Sequence, residues 1–229
     1  MILKQHYLLM GSLLALTAAA ILFSLLSGSA QISVSQIMSH FASPETGLTS
    51  QILDQIRIPR TLAAFSIGSL LAMSGVAMQV LLRNPLADPY ILGVSGGAAV
   101  GALSAILLGG SSFLLVSLAF AGAFGSTLIV FGISNPFNNQ SMTRLLLTGV
   151  VVSAGWGALI NLILTTSSSN TVQSMLFWLM GDLSQSKVNL GHIILIVLGL
   201  FGGIGIAKSL NVLSRGDLVA VSLGVNIKL

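Results

Sequence analysis

Thr61-Leu-Ala-Ala-Phe-Ser-Ile-Gly-Ser-Leu-Leu-Ala-Met-Ser-Gly-Val-Ala-Met-Gln-Val-Leu-Leu82 carries no charge and is bracketed by Arg60 and Arg83. A helix rises about 1.5 Å per residue, so about 20 apolar residues cross the hydrocarbon core of a bilayer. Working outward, Asp, Glu, Lys and Arg are also missing from Tyr90 to Thr143 and from Leu145 to Gly181. In lipid the backbone must satisfy its own hydrogen bonds, so spans are helices or closed barrels. These runs are continuous and lack the period-two alternation of a barrel strand. Of the 229 residues 54% are hydrophobic and only 6% charged, too few charges to coat a water-exposed surface. The fold expected is an all-α, polytopic membrane helix bundle.

The expected spans are Tyr7–Leu26, Thr61–Leu82, Tyr90–Leu108, Phe113–Phe131, Arg144–Leu164 and Leu190–Ala207, about six in all. Gly28-Ser29-Ala30 is reminiscent of a signal-peptidase site, but the apolar stretch before it exceeds the usual h-region of about 7–15 residues, so a retained helix is expected. Residues Ser27–Arg60 read as a polar connection with a short amphipathic piece, Ile32–Phe41. Asn84-Pro85-Leu86-Ala87-Asp88-Pro89 reads as a stiff turn. Asn170 and Gln173 read as a capping box opening Thr171–Met180, a helix too short to span. From Ser209 to Asn226 the chain turns amphipathic.

The net charge of +4 comes from basic residues scattered singly between spans, which points to topology and not to nucleic acid. With the N-terminus cytoplasmic, Lys4, Arg83, Arg144, Lys208, Arg215 and Lys228 fall inside, while Arg57, Arg60 and Lys187 fall outside. The chain has no cysteine, hence no disulfide or thiolate metal site, and no metal or other cofactor is expected. Small residues at four-residue spacing (Gly93, Gly97 and Gly101; Gly68 and Ala72; Gly199 and Gly203) are expected to let helix backbones approach closely.

Three patterns in the chain bear on other chemistries. Gly93-Val94-Ser95-Gly96-Gly97 fits the hydrolase nucleophile elbow, but that elbow needs a strand-turn-helix setting and a histidine partner. Gly202, followed after four residues by Ala207-Lys208-Ser209, nearly matches a phosphate-binding loop but lies at the end of a span. An ion-driven secondary transporter or channel-like protein is the third, and the charge-free spans speak against a relay of membrane carboxylates. A pathway lined by Gln79, Asn161, hydroxyls and apolar groups suits something bulky, with energy supplied from elsewhere.

Arg57-Ile-Pro-Arg60-Thr-Leu, Ser74-Gly75-Val-Ala-Met-Gln79, Asn84-Pro85-Leu86-Ala87-Asp88-Pro89 and Leu92-Gly93-Val94-Ser95-Gly96-Gly97-Ala98 follow one another in an order and spacing that closely resemble the FecCD/BtuC-type permeases. Arg144-Leu-Leu-Leu-Thr-Gly149, Met175-Leu-Phe-Trp178-Leu-Met-Gly181 and Gly216-Asp217-Leu-Val-Ala220-Val-Ser-Leu223-Gly224-Val225 extend the resemblance over nearly the whole chain.

The resemblance implies a membrane subunit of a type II ABC importer for iron-siderophore, haem or vitamin B12. Such a subunit is not itself an enzyme and sits in the bacterial plasma (inner) membrane. Its implied partners are a second permease subunit (identical or not), cytoplasmic ABC ATPases, and a periplasmic or lipid-anchored substrate-binding protein. Arg57 and Arg60 match arginines that dock that binding protein. Asn84, Pro85, Ser141, Met142 and Thr143 match cytoplasmic gate loops, with Met142 where relatives carry a small polar residue. Gly216, Asp217, Ala220, Leu223 and Gly224 match the segment that couples to the ATPase, and Ser214 with Asp217 makes a capping-box pair there. Residues 1–208 would thus be the permease domain and 209–229 an incomplete coupling segment. Family members have about ten spans related by an inverted repeat, so most of a second repeat is expected to be missing here, and the 229-residue chain is expected not to transport alone.

Overall fold

The computed structural model describes residues 2–42, 47–134, 141–184 and 190–214. Every regular element among them is helical: α1 (Ile2–Leu26), α2 (Val34–Ala42), α3 (Leu48–Ile52), α4 (Ile58–Leu81), α5 (Val94–Leu107), α6 (Ser112–Ser134), α7 (Ser141–Thr166), α8 (Ser169–Met180) and α9 (Leu190–Leu213). Five stretches are long and apolar enough to cross a membrane: Lys4–Leu26, Leu48–Leu81, Ser112–Ser134, Thr143–Thr166 and Ile193–Leu213. Their outward surfaces carry large apolar side chains such as Leu14, Phe65, Phe120, Leu162 and Phe201, as lipid-facing helices do.

The third expected span is different. Tyr90–Leu108 is not one helix: a 3₁₀ turn, Pro89–Leu92, stops at Gly93, and α5 begins after it. Fourteen residues of α5 reach about 21 Å, short of the roughly 30 Å core. The expected six unbroken crossings are therefore five, plus one broken one. The stretch before Arg60 also departs from a plain polar connection. α3, a π turn at Leu53–Arg57 and α4 form one continuous helix of 34 residues, Leu48–Leu81. Pro59 has no N–H to give the carbonyl four residues back, and at the neighbouring Ile58 the N–H reaches the Leu53 carbonyl, five residues back, which is the π pattern.

The chain forms two compact units, residues 1–70 with 183–199, and residues 71–182 with 200–229. In the first, Leu25 of α1, Ile32, Ile37 of α2 and Leu53 make a small buried cluster, and Ser24 Oγ bonds Thr61 Oγ1 at 2.7 Å. In the second, α5 packs chiefly on α6 and also on α7, while Met78, Leu82, Ala87, Leu92, Val130 and Leu145 form the core at one end.

Other sequence readings shift at the margins. The N-cap of α8 is Ser168, whose hydroxyl meets Thr171 Oγ1 at 2.9 Å. The expected Asn170/Gln173 box is not formed, because both residues are already inside the helix. α9 continues to Leu213, so Ser209–Leu213 prolong a membrane helix. Gly216, Asp217, Ala220, Leu223 and Gly224 lie outside the described residues.

Candidate functional site

The broken crossing is built from its turn upward. Asn84 Oδ1 accepts the Leu86 N–H at 2.9 Å and the Asn84 carbonyl accepts the Ala87 N–H at 3.0 Å, an Asx turn closed by the side chain. Asp88 then caps the 3₁₀ turn by accepting the Tyr90 N–H at 2.8 Å. Gly93 adopts φ 68 and ψ 15, a left-handed geometry that a side chain disfavours. Its surroundings crowd one as well, since an added Cβ would sit about 3 Å from the hydroxyls of Ser126 and Ser153, which would have to give way by a few tenths of an ångström.

A three-member staple holds this break. Trp156 Nε1 on α7 donates to Ser126 Oγ at 2.9 Å, and Ser126 Oγ donates to the Leu92 carbonyl at 3.0 Å. Ser126 is fully buried. That carbonyl lies at the break, where the regular ladder is interrupted. An unpaired carbonyl in an apolar interior costs about 1–3 kcal/mol, so the serine supplies what the helix cannot. The indole packs directly on Gly96, where a Cβ would come within 2.7 Å of Trp156 Cβ. At Gly149 a Cβ would collide with the Ile91 carbonyl, so α7 meets the 3₁₀ turn backbone to backbone. Sequence reading missed Ser126 and Trp156. A tryptophan in mid-span beside a serine on the preceding span was the signal, but only tertiary contact joins them.

The three ridge glycines divide. Gly97 and Gly101 lie against α6, where a Cβ on either would strike the carbonyl of Gly122 or Leu118. Gly93 is the helix break itself. Nothing lies within 4 Å of a Cβ at Gly68, whereas one at Gly203 would press on the Met73 methyl at 2.6 Å.

Asn84, Pro85 and Thr143 come to one end of the second unit. Leu145, two residues beyond Thr143, shares a cluster there with Met78 and Leu82. Asn84 is half-buried, and Pro85 and Thr143 are exposed. The side chains of Ser141 and Met142 lie outside the described set. Gln79 sits at this end, in the last turn of α4, and is exposed. Asn161 is exposed too, but it lies about 24 Å further along α7 from Leu145. The two polar residues expected to line a pathway are therefore near opposite ends of the crossing.

Arg57 and Arg60 have different surroundings. Arg60 is exposed. Arg57 is 7% exposed, and its guanidinium is turned back on the end of α1. Nη1 donates to the carbonyls of Leu25 at 2.5 Å and Leu26 at 3.0 Å, and Nη2 donates to that of Ala30. These include carbonyls a helix leaves unsatisfied at its C-terminus, and a cation there also complements the helix dipole. Gly28 makes room for the arginine, for a Cβ there would meet Nη2 at 2.7 Å.

Other chemistries find no footing. Ser95 is the second residue of α5, with no strand before it. Lys208 lies inside α9, where backbone N–H groups are engaged. Among the described residues no group of three or more His, Cys, Asp or Glu could hold a metal.

These features define a polytopic α-helical membrane protein with one broken crossing clamped between two neighbours. The chain belongs to the FecCD transport family, whose pattern matches residues 16–229. It is 34% identical over 228 residues to the molybdate import system permease protein MolB of Haemophilus influenzae, covering 96% of this chain and 67% of that protein. It is 37% identical over 192 residues to the cobalamin import system permease protein BtuC of Halobacterium salinarum, covering 82% and 51%. A "Probable iron chelatin transport system permease protein" of Helicobacter pylori is 37% identical over 193 residues, covering 83% and 58%. A solved structure described as "An inward-facing conformation of a putative metal-chelate type ABC transporter" superposes with a TM-score of 0.74 at 30% identity, over 94% of this chain and 66% of that one. The chain thus spans between about half and two thirds of the length of these proteins.

Proposed function

We propose that this chain is a permease subunit of a type II ABC importer in the bacterial inner membrane, with its N-terminus cytoplasmic. The observation that carries the reading is the likeness to the metal-chelate transporter over 94% of the chain. The relatives are named for molybdate, cobalamin and iron chelatin. Their common chemistry is a metal held in an oxyanion or chelate, and that is the cargo class proposed here. It includes the siderophore, haem and cobalamin cargoes expected from sequence and adds oxyanions to them.

ATP hydrolysis belongs to a separate cytoplasmic chain, and a second permease subunit completes the pathway. No Asp or Glu occurs in α1 or in any helix from α4 to α9, so these helices carry no carboxylate relay of the kind ion-driven transporters use. Energy then enters through the ATPase, by way of Gly216, Asp217, Ala220, Leu223 and Gly224. At the cytoplasmic end the Asn84–Pro85 turn and the start of α7, Ser141–Thr143, form the gate. On the opposite side Arg60 offers an exposed cation to the substrate-binding protein. Arg57 acts there as a positioning residue, by tying the helix that presents Arg60 to the end of α1.

The test is co-purification with the cognate ATPase. Replacing Gly216–Gly224 by a Gly/Ser linker should abolish it, with the membrane helices still folded by circular dichroism. Unchanged association would refute the coupling role.

A further inference from the structure

α2 has three faces, and only two are accounted for by the protein and by water. A helix turns about 100° per residue. Val34, Met38 and Phe41 therefore share one side, Ser35, Gln36 and Ser39 a second, and Ile37 with His40 a third, roughly a third of a turn apart. The third face is held by the protein. Ile37 is 5% exposed in the cluster with Leu25, Ile32 and Leu53. The His40 ring nitrogens contact Ser50 Oγ at 2.9 Å and Asp54 Oδ1 at 3.0 Å. The second face is hydroxyls and an amide. The first exposes Val34 at 54%, Met38 at 69% and Phe41 at 67%.

The level of α2 is set by its neighbours. The Ser24–Thr61 hydrogen bond joins α1 and α4 where the charge-free part of α4 begins, just after Arg60. Leu25, against which α2 packs, is the next residue of α1. The polar headgroup zone is about 5–7 Å thick on each side of the core. A helix resting on the last turn of α1 lies in that zone. α2 contains no Lys, Arg, Asp or Glu, which suits a face seated among acyl chains. Its N-terminus is closed by reciprocal bonds, Ser33 N–H to Gln36 Oε1 at 2.9 Å and Gln36 N–H to Ser33 Oγ at 3.3 Å. Even so, a nine-residue helix is marginal in water without burial of its apolar face.

We infer that α2 is an interfacial helix lying in the membrane plane, with Val34, Met38 and Phe41 inserted at the headgroup–acyl boundary of the leaflet where α1 ends. Amphipathic helices bind this way through buried apolar area. The inference rests on the membrane-spanning fold and not on the transport reading.

The chain has no native cysteine, so single-cysteine variants can be spin-labelled directly. Met38→Cys, Phe41→Cys, Ser35→Cys and Ser39→Cys chains, each melting with the unlabelled protein, are reconstituted, together with any subunits that co-purify, in vesicles of phosphatidylcholine and phosphatidylglycerol. Labels at Met38 and Phe41 should be relaxed by molecular oxygen and lose relaxation by an aqueous nickel chelate, while those at Ser35 and Ser39 show the reverse. Nickel accessibility at Met38 and Phe41 equal to that at Ser39 would overturn the inference, because the face would then be in water. Protection of Met38 and Phe41 from both reagents would overturn it as well, because protein would then cover the face.

Discussion

Arg57→Ala removes a buried cation that donates to the carbonyls of Leu25, Leu26 and Ala30. Each hydrogen bond involving a charged group contributes about 1.5–3 kcal/mol net, so the three give a gross figure of roughly 4–9 kcal/mol. Two effects reduce it. Leu26 and Ala30 are only half-buried, so water can replace part of what is lost. Deleting the guanidinium also removes its own desolvation cost. A net loss of about 3 kcal/mol remains, which for a chain of this size corresponds to a melting temperature roughly 6–12 °C lower.

The assay is thermal unfolding in detergent micelles, followed by circular dichroism, with Arg60→Ala as the exposed control. Arg57→Lys should recover only part of the loss, because an ammonium lacks the planar fork that reaches several carbonyls at once. Gly28→Val should shift the melt in the same direction, since a Cβ there meets the guanidinium at 2.7 Å. Arg57→Ala melting with the wild type would refute the reasoning. A drop in Arg60→Ala equal to that of Arg57→Ala would refute it too, because exposure would then not be what separates the two arginines.

Arg60→Glu should leave the melt unchanged and weaken capture of the binding protein, most at low ionic strength where exposed charges are least screened; surface plasmon resonance over a salt series checks this. Ser126→Ala should cost about 1–3 kcal/mol for each of the two groups it orphans, the Leu92 carbonyl and the Trp156 N–H, read as a lower melting temperature and a shift in tryptophan emission. Gly97→Leu or Gly101→Leu should abolish folded protein in the membrane fraction, because the added atoms strike α6 backbone. Gly68→Ala, with open space around it, should be recovered at the wild-type level in the same membrane fraction.

The crossings were legible because charge leaves a long gap wherever lipid must be met, and the gaps at Thr61–Leu82, Leu145–Gly181 and Tyr90–Thr143 are unambiguous. Hydropathy is blind to the hydrogen-bond ladder, however. Tyr90–Leu108 reads as one apolar run whether or not the backbone breaks at Gly93, and only the positive φ there separates the two halves. Residues Leu48–Arg60 are too polar to announce a helix and contain a proline, yet packing of Leu53 on Leu25 and Ile37 holds them in one. Basic residues at positions 57 and 60 look equivalent in sequence. Their difference, one buried against α1 and one exposed, comes from the turn of helix between them and from a glycine far away in the chain. The link from Trp156 through Ser126 to Leu92 joins three separate helical segments, and no local pattern encodes it.

A π turn is an α-helix that has absorbed one surplus residue. In the stretch Leu48–Leu81 it therefore acts as a phase shifter. Each residue advances the helix by about 100°, so everything after Arg57 is rotated by about that angle relative to an uninterrupted helix. Deleting one residue between Leu53 and Ile56 would let the helix re-anneal in regular register. Either Arg57 would leave the end of α1, or the whole of α4 would be dialled round, carrying Thr61 away from Ser24 and presenting a different stripe of α4 to lipid. The length of the segment is thus an angular setting: here a one-residue change in the gene amounts to a turn of a membrane helix about its own axis.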